Sequence, residues 1–263
     1  METSESVPLF ENDLHEPGVI DASAMHQPQD VPRVAVLCFF NDVLEDLARR
    51  GDLRQVYTLR SEIGRNPVYE MTVGSSSLLV MHPGVGAPLA AGFTEELAAL
   101  GPTTFVAVGG AGALIDDLDL GHVMIVESAV RDEGTSFHYA EPGRIIHADP
   151  LGVRTATTTL DQLGVPYIVG RAWTTDALFR ETRSRVDRRV AEGCRMVDME
   201  ASAFIAVAQY RRLRFAHLLY AGDSLAGDTW DSRHWDSATT IRAQLLTVAA
   251  HVALALHTAS PAA

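Results

Sequence analysis

The sequence predicts an α/β fold, a three-layer sandwich in which helices flank a central mixed β-sheet. Short apolar runs that are bounded by glycine are typical of buried strands, and residues 104–108, which are rich in β-branched residues, and 215–222 form two such runs. Strands alternate with periodic, alanine-rich segments, and no repeat recurs along the chain. We expect one domain over residues 33–258, preceded by a flexible, acidic and proline-punctuated arm at 1–32.

Each element follows from its local pattern. The predicted strands span residues 33–40, 67–73, 76–82, 104–108, 122–129, 167–173 and 215–222. One predicted helix begins at Asn41, and four others cover residues 89–100, 149–163, 197–210 and 236–257. Gly74 and Ser75 join two strands as a hairpin, and the glycine-rich residues 109–112 are predicted as a turn at the end of a strand.

Composition excludes several classes of function. Lys and Arg number 21 against 34 Asp and Glu, and the net charge of −13 argues against binding to a nucleic-acid backbone. Cys38 and Cys194 lack metal-like spacing, so we expect reduced thiols and no metal. Gly84 and Gly86 lack the third glycine of a dinucleotide site, and no cofactor is expected. The apolar residues 245–256 are too few to span a bilayer, so the sequence predicts a cytoplasmic protein without a membrane partner.

Polar loops follow several of the predicted strands. Residues 131–139 and 174–176 each come directly after an apolar run, as do Gly222 and Asp223. Loops beyond the carboxyl ends of strands carry ligand sites in α/β sheets. The sequence therefore predicts a site for a small molecule at this edge of the sheet.

A family resemblance rests on an ordered set of motifs. The motifs are Gly84-Val85-Gly86-Ala87-Pro88, Gly109-Gly110-Ala111-Gly112, Gly121, Arg131-Asp132-Glu133-Gly134-Thr135-Ser136, Thr174-Thr175-Asp176, Val197-Asp198-Met199-Glu200 and Gly222-Asp223. Over residues 33–257 the chain resembles the nucleoside phosphorylase superfamily of uridine phosphorylases, hexameric purine nucleoside phosphorylases and methylthioadenosine nucleosidases. The resemblance implies cleavage of a nucleoside by phosphate to free base and ribose 1-phosphate.

The resemblance also assigns residues to the sugar and the base. Glu200 matches the carboxylate that binds the ribose hydroxyls, with a carboxylate stabilised by a helix N-terminus as its alternative. Met199 matches the residue packed on the sugar, and Asp198 stands where the family usually has Glu. Asp223 matches the acid that protonates a purine, with a helix N-cap as its alternative. Phe179, beside Asp176 and Arg180, is a candidate for lining the base, and the sequence favours a purine because no Gln follows the Thr174 turn.

The phosphate site departs from the family pattern. Relatives usually carry Gly-Asp-Pro-x-Arg after the first strand and an Arg before the glycine turn, but this chain has residues 38–42 and Ala107 there. Arg60 matches an arginine that relatives lend across a dimer interface, which implies a homo-oligomer, a dimer or a hexamer. Gly110 could donate its amide to the anion. Arg131 is either a relocated anion ligand or a structural clamp.

Two further functions stay open. A nucleosidase would replace phosphate by water, and Asp42 is a better candidate than Asn41 or Glu45 for activating it, although such residues are common helix caps. A nucleoside-binding module without turnover is the other alternative, because the two arginines are absent. His138, with Tyr139, is a candidate contact for the 5′-hydroxyl or the base.

Overall fold

The computed structural model describes residues 7–11 and 13–260, which contain ten strands and seven α-helices. The strands are β1 (Val34–Cys38), β2 (Leu53–Ser61), β3 (Gly64–Val73), β4 (Ser76–Met81), β5 (Thr104–Ala113), β6 (Val123–Asp132), β7 (Ile145–His147), β8 (Tyr167–Thr175), β9 (Cys194–Asp198) and β10 (Arg214–Ser224). The helices are α1 (Ala22–Met25), α2 (Asn41–Arg50), α3 (Ala87–Leu100), α4 (Pro150–Leu163), α5 (Arg183–Ala191), α6 (Ala201–Arg211) and α7 (Thr239–Thr258).

The described strands form one mixed sheet. Its order is β10-β6-β8-β9-β5-β1-β4-β3-β2, with β7 paired to β6. Because β10 also pairs with β5, the five strands form a closed ring of paired strands, in the order β5, β9, β8, β6 and β10. The strands β4, β1, β5 and β10 run parallel, whereas β9 runs antiparallel to β5. The predicted α/β sandwich with a mixed sheet is confirmed.

An apolar layer covers each face of the sheet. Helices α3 and α6 pack on one face, where Phe93 and Phe204 meet Phe105 of the central strand. Helices α2, α4 and α7 cover the other face. Val106 and Val108 of β5 point to this second face, whereas Phe105 and Ala107 point to the first. Helix α7 is long and apolar enough to cross a membrane, but half of its most apolar stretch is buried, as in the core helix of a globular protein.

The predicted glycine turn at residues 109–112 is wrong. These residues belong to β5, where Gly109 to Ala111 pair with β10 and Gly112 pairs with β9. Glycine is needed there for packing: a Cβ atom would lie 2.9 Å from the Phe39 ring at Gly109 and 3.2 Å from the Tyr220 ring at Gly110. The missing side chains make room for aromatic neighbours.

The predicted helix at residues 197–210 begins too early. Strand β9 extends to Asp198 because Met196 and Val197 pair with both β8 and β5, so α6 starts only at Ala201. The sequence also missed β2, whose mostly exposed edge position leaves no apolar run to detect. The remaining predicted strands and helices are present with small shifts at their ends.

The described part of the N-terminal arm contacts the rest of the chain. Phe10 packs edge-on against Phe137, with ring centroids 5.6 Å apart, and His26 lies 2.9 Å from the Glu96 carboxylate. The Gln29 amide donates to the Leu100 carbonyl. The single domain and the flexibility of the arm stay predictions.

The buried His217 makes stability depend on pH. Its ring lies between Phe204 and Phe215, and neither ring nitrogen has a hydrogen-bond partner among the described residues. Burial lowers the pKa of His217 to about 3 from its usual 6.5. The unfolded chain therefore binds more protons between these values, and the free energy of unfolding falls by up to ~1.4 kcal/mol per pH unit as pH drops below 6.5.

We expect His217→Leu to make this acid-side slope shallower, because the variant has no imidazole to protonate. Urea unfolding at several pH values between 4 and 7 measures the slope. The control is His147→Leu at an exposed position, which should keep the wild-type slope. Equal slopes for wild type and His217→Leu would contradict the assignment.

Candidate active site

The carboxyl ends of four parallel strands meet at one edge of the sheet. Phe39 follows β1, His82 follows β4, and Asp223 lies near the end of β10. Gly110 is the one exposed residue of β5, which is otherwise buried in the middle of the sheet. Exposure of a central strand means that open space lies above its backbone, as expected for a ligand site.

Glu200 lies at the junction of β9 and α6. Strand β9 pairs Val197 with Gly112, so the chain after it runs back toward Gly110. The Glu200 carboxylate is buried and accepts a hydrogen bond of 2.6 Å from the Gly86 amide. Burial, reinforced by the Asp198 carboxylate, raises the pKa of Glu200 above its usual 4.5. Glu200 stands at the N-terminal end of α6, as the alternative explanation requires, although its carboxylate caps no amide of that helix.

Asp198 takes the capping role instead. One carboxylate oxygen accepts from the Thr174 hydroxyl at 2.8 Å, and the other accepts from the amides of Ala201 at 2.7 Å and Glu200 at 3.2 Å. Burial raises the pKa of Asp198 despite these bonds. The shorter side chain of Asp is therefore used to hold the start of α6, and the contacts favour a positioning role over its predicted contact with substrate.

A third buried carboxylate ties the preceding loop to α6. Glu133 accepts from the Ser202 hydroxyl at 2.8 Å and from both the amide, at 2.9 Å, and the hydroxyl of Ser136. The Ser202 amide in turn donates to the Thr174 hydroxyl at 3.0 Å. The ends of β6, β8 and β9 are thus joined by one hydrogen-bond network around Glu200.

Asp223 lies beside this network, across Gly112. A Cβ atom at Gly112 would be 3.5 Å from Oδ1 of Asp223, and Oδ2 accepts a hydrogen bond of 2.7 Å from the Trp230 indole. The Asp223 residue starts no helix, so the N-cap alternative does not apply. Burial, with the Asp223 carboxylate nearby, raises the pKa of Glu181 to about 7. The Glu181 and Asp223 carboxyl groups are therefore near enough to interact electrostatically.

Arg131 is held as a clamp. Its guanidinium donates to the Ser136 hydroxyl at 2.8 Å and to the carbonyls of Ala140 at 3.2 Å and Glu141 at 2.6 Å, and it stacks 4.0 Å from the centroid of the Phe137 ring. Burial lowers the pKa of Arg131 from its usual value. These contacts favour the structural alternative, and a role as an anion ligand stays a prediction.

The other predicted contacts are spread around the site. Met199 is half-buried next to Glu200. Phe179 and Arg180 are exposed after β8, and Phe179 has 91% of its surface accessible. His138 is exposed on the loop after β6, whereas Arg60 is exposed near the tip of the β2–β3 hairpin. Within one chain, the structure brings together Glu200, Asp198, Met199, Gly110 and Asp223 near the strand ends.

The candidates for activating water are already paired. Asp42 lies 2.7 Å from the guanidinium of Arg242, a buried residue of α7. The amide of Asn41 donates to the Glu45 carboxylate at 2.7 Å. Both carboxylates therefore already contact a side chain of the same chain. These contacts reduce the support for a catalytic carboxylate at the start of α2.

The places of the family's two phosphate-binding motifs hold residues 38–42 and Ala107, none of which is an arginine. Ala107 is completely buried in β5, and the Phe39 ring lies over Gly109 and packs edge-on against His82 at a centroid distance of 5.6 Å. The sequence reasoning missed His82 and the Gly86 amide as parts of the site. The position of His82 at a strand end, beside Gly84 and Gly86, is the signal that could have revealed both.

Comparisons with known proteins place the chain in a family of phosphorylases. A family model described as "Phosphorylase superfamily" matches residues 33–257. A guanosine phosphorylase of Halorubrum lacusprofundi is 27% identical over 227 residues, which cover 84% of this chain and 86% of that protein. A uridine phosphorylase of Thermococcus kodakarensis is 30% identical over 162 residues, which cover 58% of each protein.

Solved structures share the fold at low sequence identity. A uridine phosphorylase from Vibrio fischeri aligns with a TM-score of 0.71 at 22% identity, over 90% of this chain and 99% of that one. An AMP nucleosidase from Bacteroides thetaiotaomicron aligns with a TM-score of 0.69 at 19% identity, over 87% and 90% of the respective chains. A phosphorylase and a nucleosidase therefore both occur among the structural neighbours.

The buried carboxylate of Glu200 should cost stability. Its raised pKa means that full stability is present below pH 4.5 and is lost as the pH rises through the folded-state value. We expect Glu200→Gln to raise the free energy of unfolding at pH 7.5 by roughly 0.5–2 kcal/mol, with a gain that grows as the pH rises. The same change should lower kcat/KM for a nucleoside about 10–100-fold, since a hydrogen bond to a charged group is worth about 1.5–3 kcal/mol.

Urea unfolding and initial rates measure the two effects. Glu127→Gln, at an exposed position of β6, is the matched control and should change neither. A Glu200→Gln protein that is less stable and equally active would contradict the assignment.

Proposed function

Because the chain belongs to the phosphorylase superfamily, we propose that it cleaves the N-glycosidic bond of a nucleoside with phosphate, giving free base and ribose 1-phosphate. The observation that carries the proposal is the buried Glu200 carboxylate beside the open space above Gly110. A carboxylate that is kept in a dry site accepts strong hydrogen bonds from the 2′- and 3′-hydroxyls of a ribose. The network of Asp198, Thr174 and Glu133 holds it there.

Asp223 supports a proton transfer to the leaving base. Cleavage passes through an oxocarbenium-like state in which the base carries away the bonding electrons, so a proton donor at the base lowers the barrier. Asp223 lies across Gly112 from the β9–α6 junction, and the Glu181 carboxyl nearby can share a proton with it. A purine is the proposed base, because its N7 accepts such a proton.

Phosphate is the preferred nucleophile in this proposal. The carboxylates at the start of α2 that could activate water are paired with Arg242 and Asn41. Arg60 is exposed on the β2–β3 hairpin and is available to a neighbouring subunit. We therefore propose a homo-oligomer in which this arginine completes the phosphate site of the partner, and a cytoplasmic location.

Hydrolysis is the second candidate, and one observation favours it. The places of the family's phosphate-binding motifs hold residues 38–42 and Ala107, and none of these residues offers a phosphate a positive charge. In that case water would attack C1′, and the products would be free ribose and base.

Product analysis tests the proposal. We expect inosine or guanosine to release base and ribose 1-phosphate only when phosphate is present, and uridine to react more slowly. Chromatography of the products formed with and without phosphate makes the measurement. Free ribose formed without phosphate would establish the second candidate, and no release from any of these nucleosides would favour a binding module.

Asp223→Asn tests the proton donor. We expect kcat to fall ~10²- to 10⁴-fold, the usual effect of removing a general acid, while KM for the nucleoside changes less than about threefold. Asp228→Asn, an exposed residue of the loop after β10, is the matched control and should keep wild-type rates. Unchanged turnover of Asp223→Asn would remove Asp223 from the mechanism.

A further inference from the structure

Trp230 is a large aromatic residue that the fold leaves outside the core. It lies in the loop after β10, and 63% of its surface is accessible to solvent. Its indole Nε1 donates a hydrogen bond of 2.7 Å to Oδ2 of Asp223, the carboxyl group proposed above as the proton donor. Because the ring is mostly exposed, burial of apolar surface explains little of its position. The bond to Asp223 is the contact that connects Trp230 with the site.

The main chain around Trp230 is held at both ends. Ser224 and Asp231 form an isolated β-bridge, in which the Ser224 amide donates to the Asp231 carbonyl at 2.8 Å and the Asp231 amide donates back at 3.0 Å. The Arg183 guanidinium donates to two main-chain carbonyls of the same loop, at 2.5 and 2.6 Å. The indole is therefore in place before a substrate binds, as expected of a preorganised hydrogen-bond donor.

The indole determines which oxygen of Asp223 can carry a proton. An indole N–H is a donor only, so Oδ2 is the acceptor in this bond, and a proton on the carboxyl group must be on Oδ1. Oδ1 lies 3.5 Å from the place of a Cβ atom at Gly112, and the Val197 side chain lies 2.9 Å from the same place. Val197 belongs to β9, which leads to Glu200. Oδ1 therefore lies on the side of Asp223 toward β9 and the proposed sugar ligand, and Oδ2 lies on the side of the loop.

A neutral donor suits a group that must gain and lose a proton. A guanidinium in the same place would hold a carboxyl group in its charged form and weaken it as an acid. The described residues form no ion pair with Asp223, and Arg183 of the adjoining helix is bound to main-chain carbonyls instead. The indole N–H carries no net charge, so it orients the carboxyl group and leaves it able to take up a proton.

We propose that Trp230 is a positioning residue of the proton donor: its indole N–H holds Oδ2 of Asp223, so that Oδ1 delivers the proton to the leaving base. The proposal rests on the cleavage of a purine nucleoside proposed above. The proton on Oδ1 passes to N7 of the purine while the electron pair of the C1′–N9 bond moves onto the base, and Asp223 is left as a carboxylate. The hydrogen bond from the indole strengthens as this negative charge develops, so it lowers the barrier.

Two substitutions separate the N–H group from the bulk of the ring. Trp230→Phe keeps an aromatic ring and loses the donor. Trp230→His has a smaller ring but keeps a donor, because Nε2 of His stands the same number of bonds from Cβ as Nε1 of Trp. Tyr167→Phe is the matched control, since it also removes a donor to a carboxylate, that of Asp161, at the first residue of β8.

The experiment compares inosine with 7-methylinosine at saturating phosphate. A purine methylated at N7 already carries a positive charge in the nucleoside, so its departure requires no proton from the protein. We expect Trp230→Phe to lower kcat for inosine about tenfold or more, as the loss of a hydrogen bond to a charged group does, and to leave kcat for 7-methylinosine within about threefold. Trp230→His should lose less activity on inosine than Trp230→Phe, and Tyr167→Phe should match wild type on both nucleosides.

Equal losses on the two nucleosides would overturn the proposal, because Trp230 would then act as a wall of the pocket and not through the proton. A Trp230→His protein that is less active on inosine than Trp230→Phe would overturn it too, since ring size would matter more than the N–H group. Thermal unfolding of each variant identifies a folding defect. Failure of the proposed function is distinguishable, because the wild type would then release base from neither nucleoside.

Discussion

The structure of the site depends on the burial of three carboxylates at the ends of β6 and β9, joined through a hydroxyl of β8. Glu133, Asp198 and Glu200 are each at most 7% exposed. Burying a charge is costly unless hydrogen bonds replace the lost water. Hydroxyl groups and main-chain amides provide these bonds, and the start of α6 is fixed as a consequence. The Glu200 carboxylate accepts from the Gly86 amide and is also stabilised by the main-chain amide of Met199.

Much of the fold could be predicted from the sequence, because β1, β6, β8 and β10 are buried apolar runs of the expected length. The pairing of Val197 with two strands could not be predicted from the sequence, because tertiary contacts decide whether such a segment forms a strand or a helix. The glycines of β5 were misread as a turn for a similar reason: their function is to admit the rings of Phe39 and Tyr220, which come from distant parts of the chain.

The candidate site, too, was predictable in part from the sequence and depends in part on tertiary contacts. Glu200 and Asp223 were identifiable from motif order, and the structure places both near the strand ends. The alternatives left open for Arg131 and Asp42 needed coordinates, because a sequence does not show which partners occupy a guanidinium or a carboxylate.

The identity of the nucleophile is the central question for this chain, and isotope transfer answers it most directly. One turnover in ¹⁸O-labelled water with unlabelled phosphate should give ribose 1-phosphate that contains no ¹⁸O at C1′, as seen by mass spectrometry. The C1′ oxygen then comes from phosphate, as proposed. Free ribose with ¹⁸O at C1′, formed before any ribose 1-phosphate accumulates, would contradict phosphorolysis and assign the attack to water.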